Sequence, residues 1–133
     1  MGKPVWSDAG TRKPGHSICI KPEQSPGNLS AAGYYPPEEL TLAKSQLLGV
    51  HVKDALPKII RGVPFEKGIV PFRETFQALV QTGFWGLIGV EIWGSMHADE
   101  DPVVSVAAAR KFVDDLVAEA WPADHPFGCK EQE

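Results

Sequence analysis

The run LLGVHVKD at residues 47–54 and the run LIGVEIW at residues 87–93 share one pattern, an apolar stretch that carries an ionisable residue near its end. Short apolar runs of this kind are typical of buried β-strands. A helical pattern lies between them, so the two strands are predicted to run parallel and to be joined by a right-handed crossover. Because both runs are apolar throughout, the sheet is predicted to be covered on both faces.

Three helices are predicted around these strands. The first spans Glu38 to Gln46 after a Pro-Pro pair, with acidic residues in its first turn. The second begins at Pro71 and ends at Gly83. The third is capped by Asp99 or Asp101 and stops at Trp121-Pro122. The second and third helices carry apolar stripes at helical spacing: Phe72, Phe76, Leu79 and Val80 in the second, and Val103, Val106, Val113, Leu116, Val117 and Ala120 in the third.

Length and charge limit the class of protein. The chain has 133 residues, with 13 basic and 17 acidic side chains, so it lacks the basic excess of a nucleic-acid binder. It contains no apolar stretch long enough to span a membrane. A complete (β/α)8 barrel needs roughly 200 residues or more, so this chain can supply only part of one. Its two cysteines form no CxxC pair and its N-terminus has no apolar signal, which predicts a cytoplasmic protein.

The first 26 residues differ from the rest. The segment 1–37 contains six of the twelve prolines, and prolines remove backbone donors and restrict the preceding residue. We therefore interpret 1–26 as an irregular segment, with one possible strand at Ser17–Lys21. The segment 27–122 is interpreted as the folded portion, and 123–133 as a flexible tail.

His51 and Glu91 stand out because each lies inside an apolar strand, near its carboxyl end. Parallel α/β folds place ligands and catalytic groups at that edge. An imidazole and a carboxylate meeting there suit Mn, Zn or Fe. The alternative is structural: Glu91 pairs with Lys53 at the end of the sheet, and His51 bonds to a backbone carbonyl.

Four motifs occur in a fixed order along the chain: GNLSA from Gly27, VHVKD from Val50, VPFEKGIVPF from Val63, and GFWG followed by VEIW from Gly83. This ordered set resembles the C-terminal part of the L-ribulose-5-phosphate 3-epimerases, also called hexulose-6-phosphate isomerases, which are xylose isomerase-like TIM barrels. The resemblance covers about residues 27–122. It implies an α/β fold, a partial (β/α)8 barrel made of the last two to three βα units.

The resemblance also implies a site. His51 and Glu91 match two of the four ligands of a divalent metal (Mn, Zn or Mg), and Glu91 matches one of two catalytic acid/base groups. The family's aspartate ligand corresponds to Ser25 here, and the other glutamate belongs to a region that this chain lacks. Lys53, Asn28 and Lys67 are the candidates for binding the substrate or its phosphate. A further departure from the family is Glu66, which stands where a glycine is common.

The implied activity is the metal-dependent C3 epimerisation of a ketose phosphate, either L-ribulose 5-phosphate or a hexulose 6-phosphate. With half the ligands, a single chain is expected to be a weak or inactive epimerase. In one case copies of the chain associate, or the chain pairs with another fragment, to rebuild a barrel with metal-dependent isomerase activity. In the other case the chain is a non-catalytic remnant that at most binds metal or a sugar phosphate. Association would cover the open sheet edges.

Overall fold

The computed structural model describes residues 23–93 and 99–125, which form three strands and four α-helices. Three parallel strands and the helices between them confirm the predicted α/β class. In chain order the elements are β1 (Glu23–Gln24), α1 (Pro26–Ala31), α2 (Pro36–Ala43) with a 3₁₀ turn at Lys44–Gln46, β2 (Gly49–Val52), α3 (Phe72–Gln81), β3 (Leu87–Val90) and α4 (Pro102–Ala120).

The sheet has β2 at its centre. The strand order is β1-β2-β3 and both pairs are parallel, with Glu23 opposite Gly49 and His51 opposite Gly89. The predicted parallel pairing of β2 with β3, joined through α3, is therefore confirmed. In the described part of the chain the sheet is open at both edges, as a segment of a TIM barrel would be.

Helices α3 and α4 begin and end close to the proline, aspartate and glycine residues that predict their ends. Pro71 is the N-cap residue of α3, and Gly83, with φ of +69°, follows its end in a left-handed conformation that favours glycine. At α4 the carboxylate of Asp101, rather than Asp99, accepts the backbone N–H of Val103 at 2.9 Å, and Pro102 occupies the first turn.

The hydrophobic core lies on one face of the sheet. Val50 and Val52 are fully buried on that face, against Phe76 and Leu79 of α3 and the C-terminal half of α4. The prediction that the sheet is covered on both faces is wrong for the described residues: Leu87, on the other face, is 79% exposed. Glycines and ionisable residues occupy the rest of that face, so it offers little apolar area to bury.

The apolar stripe predicted for α4 is only partly buried. Val113, Leu116 and Val117 belong to the core, whereas Val103 and Val106 are 73% and 54% exposed. These two valines lie in the first turns of α4, and the core residues of this helix begin at Ala109.

Asp54 organises the loop between β2 and α3. Its buried carboxylate accepts three backbone N–H groups, from Ala55 and Gly68 at 2.9 Å and from Val70 at 3.3 Å. Gly68 packs so closely that an added Cβ would collide with the Asp54 side chain. In the same loop Glu66 has φ of +68°, a left-handed backbone at the position where the resemblance places a glycine.

The first two elements were not predicted from the sequence. β1 consists of two residues, and α1 starts at Pro26, whose preceding residue, Ser25, caps it by accepting from the Asn28 N–H at 3.3 Å. The possible strand at Ser17–Lys21 lies outside the described residues. The proposed boundaries at 26 and 122 stay predictions.

Candidate functional site

The polar face of the sheet is built by side-chain alternation. Residues two apart on a strand share a face, and residues paired across a parallel ladder do so too. Apart from Leu87, the register therefore gathers small or polar side chains on the face opposite the core, from the start of the strands to just past their carboxyl ends: Glu23, Gly49, His51, Lys53, Gly89 and Glu91.

Four of these side chains form a row across the three strands. The Oε2 atom of Glu23 lies 3.0 Å from Nε2 of His51, and Oε2 of Glu91 lies 3.7 Å from Nδ1 of the same ring. The ammonium group of Lys53 donates to Oε1 of Glu91 at 3.3 Å. The row thus alternates acid, imidazole, acid and ammonium, so each carboxylate has a nitrogen partner within 3.3 Å.

Lys53 is the most buried member of the row, with only 7% of its side chain exposed. Gly27 makes this burial possible, since a Cβ there would lie 2.7 Å from Cγ of Lys53 and 2.9 Å from its backbone oxygen. The start of α1 therefore packs directly on Lys53. This contact directs the lysine cation along the sheet towards Glu91.

The contacts of the row bear on the structural alternative for His51 and Glu91. The structure shows the Lys53–Glu91 ion pair of the structural alternative, but His51 faces two carboxylates instead of a backbone carbonyl. Asn28 lies exposed on α1 and Lys67 lies exposed in the β2–α3 loop. Neither side chain forms a hydrogen bond or an ion pair with the row among the described contacts, so their phosphate-binding role stays a prediction.

Glu23 is the site residue that sequence reasoning missed, because it lies in the segment interpreted as irregular. A signal was available. Glu23 comes two residues before Ser25, the position where the resemblance places a carboxylate ligand, and a spacing of two keeps residues of one strand on one face.

The donor atoms fit a divalent ion in part. Ligands of one ion at about 2.0–2.2 Å from it lie roughly 3–4 Å apart, which is the range of the 3.7 Å separation between Nδ1 of His51 and Oε2 of Glu91. An imidazole nitrogen and a carboxylate are suitable donors for such ions. Within residues 23–93 and 99–125, however, no group of three or more His, Cys, Asp or Glu side chains is arranged to hold a metal.

Parallel strands joined by helices, with ionisable side chains at the carboxyl ends of neighbouring strands, define a partial (β/α) barrel with a barrel-type site. The family model described as the xylose isomerase-like TIM barrel matches residues 11–115. The chain belongs to this family. The match starts well before Gly27, where the sequence motifs of the resemblance begin.

Individual relatives narrow the relationship to sugar-phosphate epimerases. The chain is 38% identical over 94 residues to the putative L-ribulose-5-phosphate 3-epimerase UlaE of Shigella dysenteriae serotype 1. It has the same identity over the same length to L-ribulose-5-phosphate 3-epimerase UlaE of Escherichia coli O1:K1 and of Escherichia coli strain K12. Each alignment covers 71% of this chain and 32% of the relative, so the chain spans about a third of the length of these relatives.

No helix in the described ranges is both long and apolar enough to cross a membrane.

Proposed function

We propose that this chain supplies part of the active site of a ketose-phosphate 3-epimerase, with Glu91 as one of its two proton-transfer groups. The observation that carries the proposal is the placement of Glu91. Its carboxylate lies just past the end of β3 on the polar face of the sheet, only 29% exposed and held by Lys53. The relationship to the UlaE epimerases supports L-ribulose 5-phosphate as the substrate, and a hexulose 6-phosphate as the second choice.

Epimerisation at C3 requires removal of the proton next to the C2 carbonyl and its return to the opposite face. Glu91 takes or returns the proton on one face. Lys53 holds the Glu91 carboxylate in place and keeps a positive charge beside the site, where negative charge develops on the substrate oxygen. The group that acts on the opposite face would come from barrel strands beyond those described.

His51 and Glu91 would hold a divalent ion, Mn²⁺, Zn²⁺ or Mg²⁺, which when bound polarises the substrate carbonyl. Asn28 and Lys67 are the proposed contacts of the substrate phosphate. Lys53 is a weaker candidate for that role, because its ammonium group is already paired with Glu91.

Self-association is part of the proposal. β3 is an edge strand of the described sheet and carries the exposed Leu87, and the exposed valines of α4 belong to the next helix in the chain. Open edges of a parallel sheet favour pairing with another strand. We expect the protein to be cytoplasmic. We expect the isolated chain to form a dimer or larger assembly, and light scattering coupled to size-exclusion chromatography measures its mass in solution directly.

The test of function is solvent deuterium incorporation at C3 of L-ribulose 5-phosphate, measured by NMR in the presence of Mn²⁺. Exchange reports proton abstraction even where net turnover is slow. The native chain should catalyse exchange, and Glu91→Gln should lose it by about 10²–10⁴-fold. The matched control is Glu74→Gln, which removes an exposed carboxylate from α3 and should leave the rate unchanged.

Equal exchange by the native chain and Glu91→Gln would refute the catalytic role of Glu91. Absence of exchange by the native chain, with Mn²⁺ or sugar phosphate still bound, would favour the alternative, a non-catalytic remnant of the family. The alternative rests on the site itself, since no group of three or more His, Cys, Asp or Glu side chains within residues 23–93 and 99–125 is arranged to hold a metal.

A further inference from the structure

Glu23 reaches His51 across a gap in the side-chain layer. Glu23 is paired with Gly49, and His51 follows two residues later on the same face of β2. A Cβ at Gly49 would lie 3.3 Å from Cγ of Glu23, closer than most side-chain contacts. The absence of a side chain at Gly49 therefore leaves the path along which Glu23 extends to the imidazole.

The two carboxylates approach different nitrogens of the ring. Nε2 lies 3.0 Å from Glu23, which is a hydrogen-bonding distance, whereas Nδ1 lies 3.7 Å from Glu91, which is too long for a direct hydrogen bond. A neutral imidazole has one N–H and one lone pair. The shorter contact selects Nε2 as the protonated atom and leaves the lone pair of Nδ1 directed towards Glu91.

We propose that Glu23 is a positioning residue for His51: its carboxylate accepts the Nε2 proton and thereby presents Nδ1, as a ligand atom, to an ion shared with Glu91. The inference rests on the metal-holding role given to His51 in the proposed function. Carboxylates that accept the second N–H of a metal-binding histidine fix its tautomer and raise its basicity.

The residue at position 25 explains why Glu23 is the residue that contacts His51. The resemblance places a carboxylate at residue 25, but Ser25 caps α1 through its hydroxyl oxygen. Glu23 lies two residues earlier in the chain, in β1, and is paired with Gly49 of β2. It supplies a carboxylate to this part of the polar face, in contact with His51 instead of in the ligand position itself.

The deciding measurement is the tautomer of His51, read from two-bond ¹H–¹⁵N NMR correlations at a pH where the ring carries one proton, with His51→Gln used to assign the signals. In the native chain Nε2 should be protonated. In Glu23→Ala, Glu91 becomes the nearest carboxylate, and the proton should move substantially to Nδ1. Gly49→Val should have the same effect, because it closes the path of Glu23 without removing a charge.

The control Glu74→Ala removes an exposed carboxylate elsewhere and should leave the His51 spectrum unchanged. A second readout is the affinity for Mn²⁺, followed by electron paramagnetic resonance, which should fall about 10–100-fold in Glu23→Ala. An unchanged tautomer in both variants would overturn the proposal, and a changed tautomer with unchanged Mn²⁺ affinity would overturn its metal part. Since the tautomer is read without substrate, failure of deuterium exchange would refute the proposed function separately.

Discussion

Replacing Asp54 by asparagine tests how the β2–α3 loop is held. The carboxylate accepts Ala55 and Val70 N–H through Oδ1 and Gly68 N–H through Oδ2, and the residue is only 3% exposed. In the Asp54→Asn variant the side-chain amide would keep one acceptor oxygen and turn its NH₂ group towards a backbone N–H. Donor would then face donor, and the Gly68 N–H would lose its acceptor.

The size of the effect follows from the bonds involved. A hydrogen bond to a charged group contributes about 1.5–3 kcal/mol and one between neutral groups about 0.5–1.5 kcal/mol. Asp54→Asn loses one charge-assisted bond and converts the other two into neutral bonds. We expect the free energy of unfolding to fall by about 3 kcal/mol or more, a large part of the stability of a small domain.

Urea unfolding followed by circular dichroism measures this change. The control is Asp115→Asn, which breaks an exposed ion pair with Lys111 and should change stability by less than about 1 kcal/mol. If Asp54→Asn were as mild as the control, the carboxylate would not be the group that holds the loop, and the reasoning would be refuted.

Three further substitutions test other features. Glu66→Gly should raise the free energy of unfolding by about 0.5–1 kcal/mol. The left-handed backbone at φ +68° costs a non-glycine residue about 1–2 kcal/mol, and the larger conformational entropy of glycine in the unfolded state offsets part of the gain from removing this cost. A loss of stability in thermal unfolding would contradict this prediction. Burial, and secondarily the neighbouring Glu38, raises the pKa of Glu39 above its ordinary value of 4.5, so native stability should decline as pH rises from 4.5 through the raised value. Glu39→Gln should therefore be more stable than the native chain near neutral pH and lose that advantage below pH 4.5, and equal urea midpoints at neutral pH would refute this. Gly27→Ala should destabilise by about 1–3 kcal/mol, because its Cβ would meet the Lys53 backbone oxygen at 2.9 Å; unchanged stability would show that α1 moves freely over Lys53.

Much of the fold could be predicted because its signals are local. The stop at Gly83, the cap at Asp101 and the parallel placement of β2 and β3 depend on residues within one turn or one strand. The strand β1 could not be predicted, because two residues show no alternation. Its existence depends on the backbone of β2, which the sequence around residue 23 does not reveal.

Of the candidate site, the sequence predicts only that His51 and Glu91 lie close together at one edge of the sheet. These two residues can be selected because a titratable residue at the end of an apolar run is conspicuous. The roles of Gly27 and Gly49 depend on distances between separate elements, and no pattern along the chain encodes these. The same is true of the direction of Lys53, which the burial under α1 determines.

The polar face of the sheet has a consequence for how the chain behaves in solution. Face-to-face stacking of open sheets would here press the carboxylates of Glu23 and Glu91 against another layer and strip their water. Stacking through this face is therefore disfavoured. The edges are left as the route for adding strands, and growth along an edge preserves the alignment that a barrel wall requires. The surface that would line the barrel lumen is therefore compatible with water before any further strand is added to the sheet.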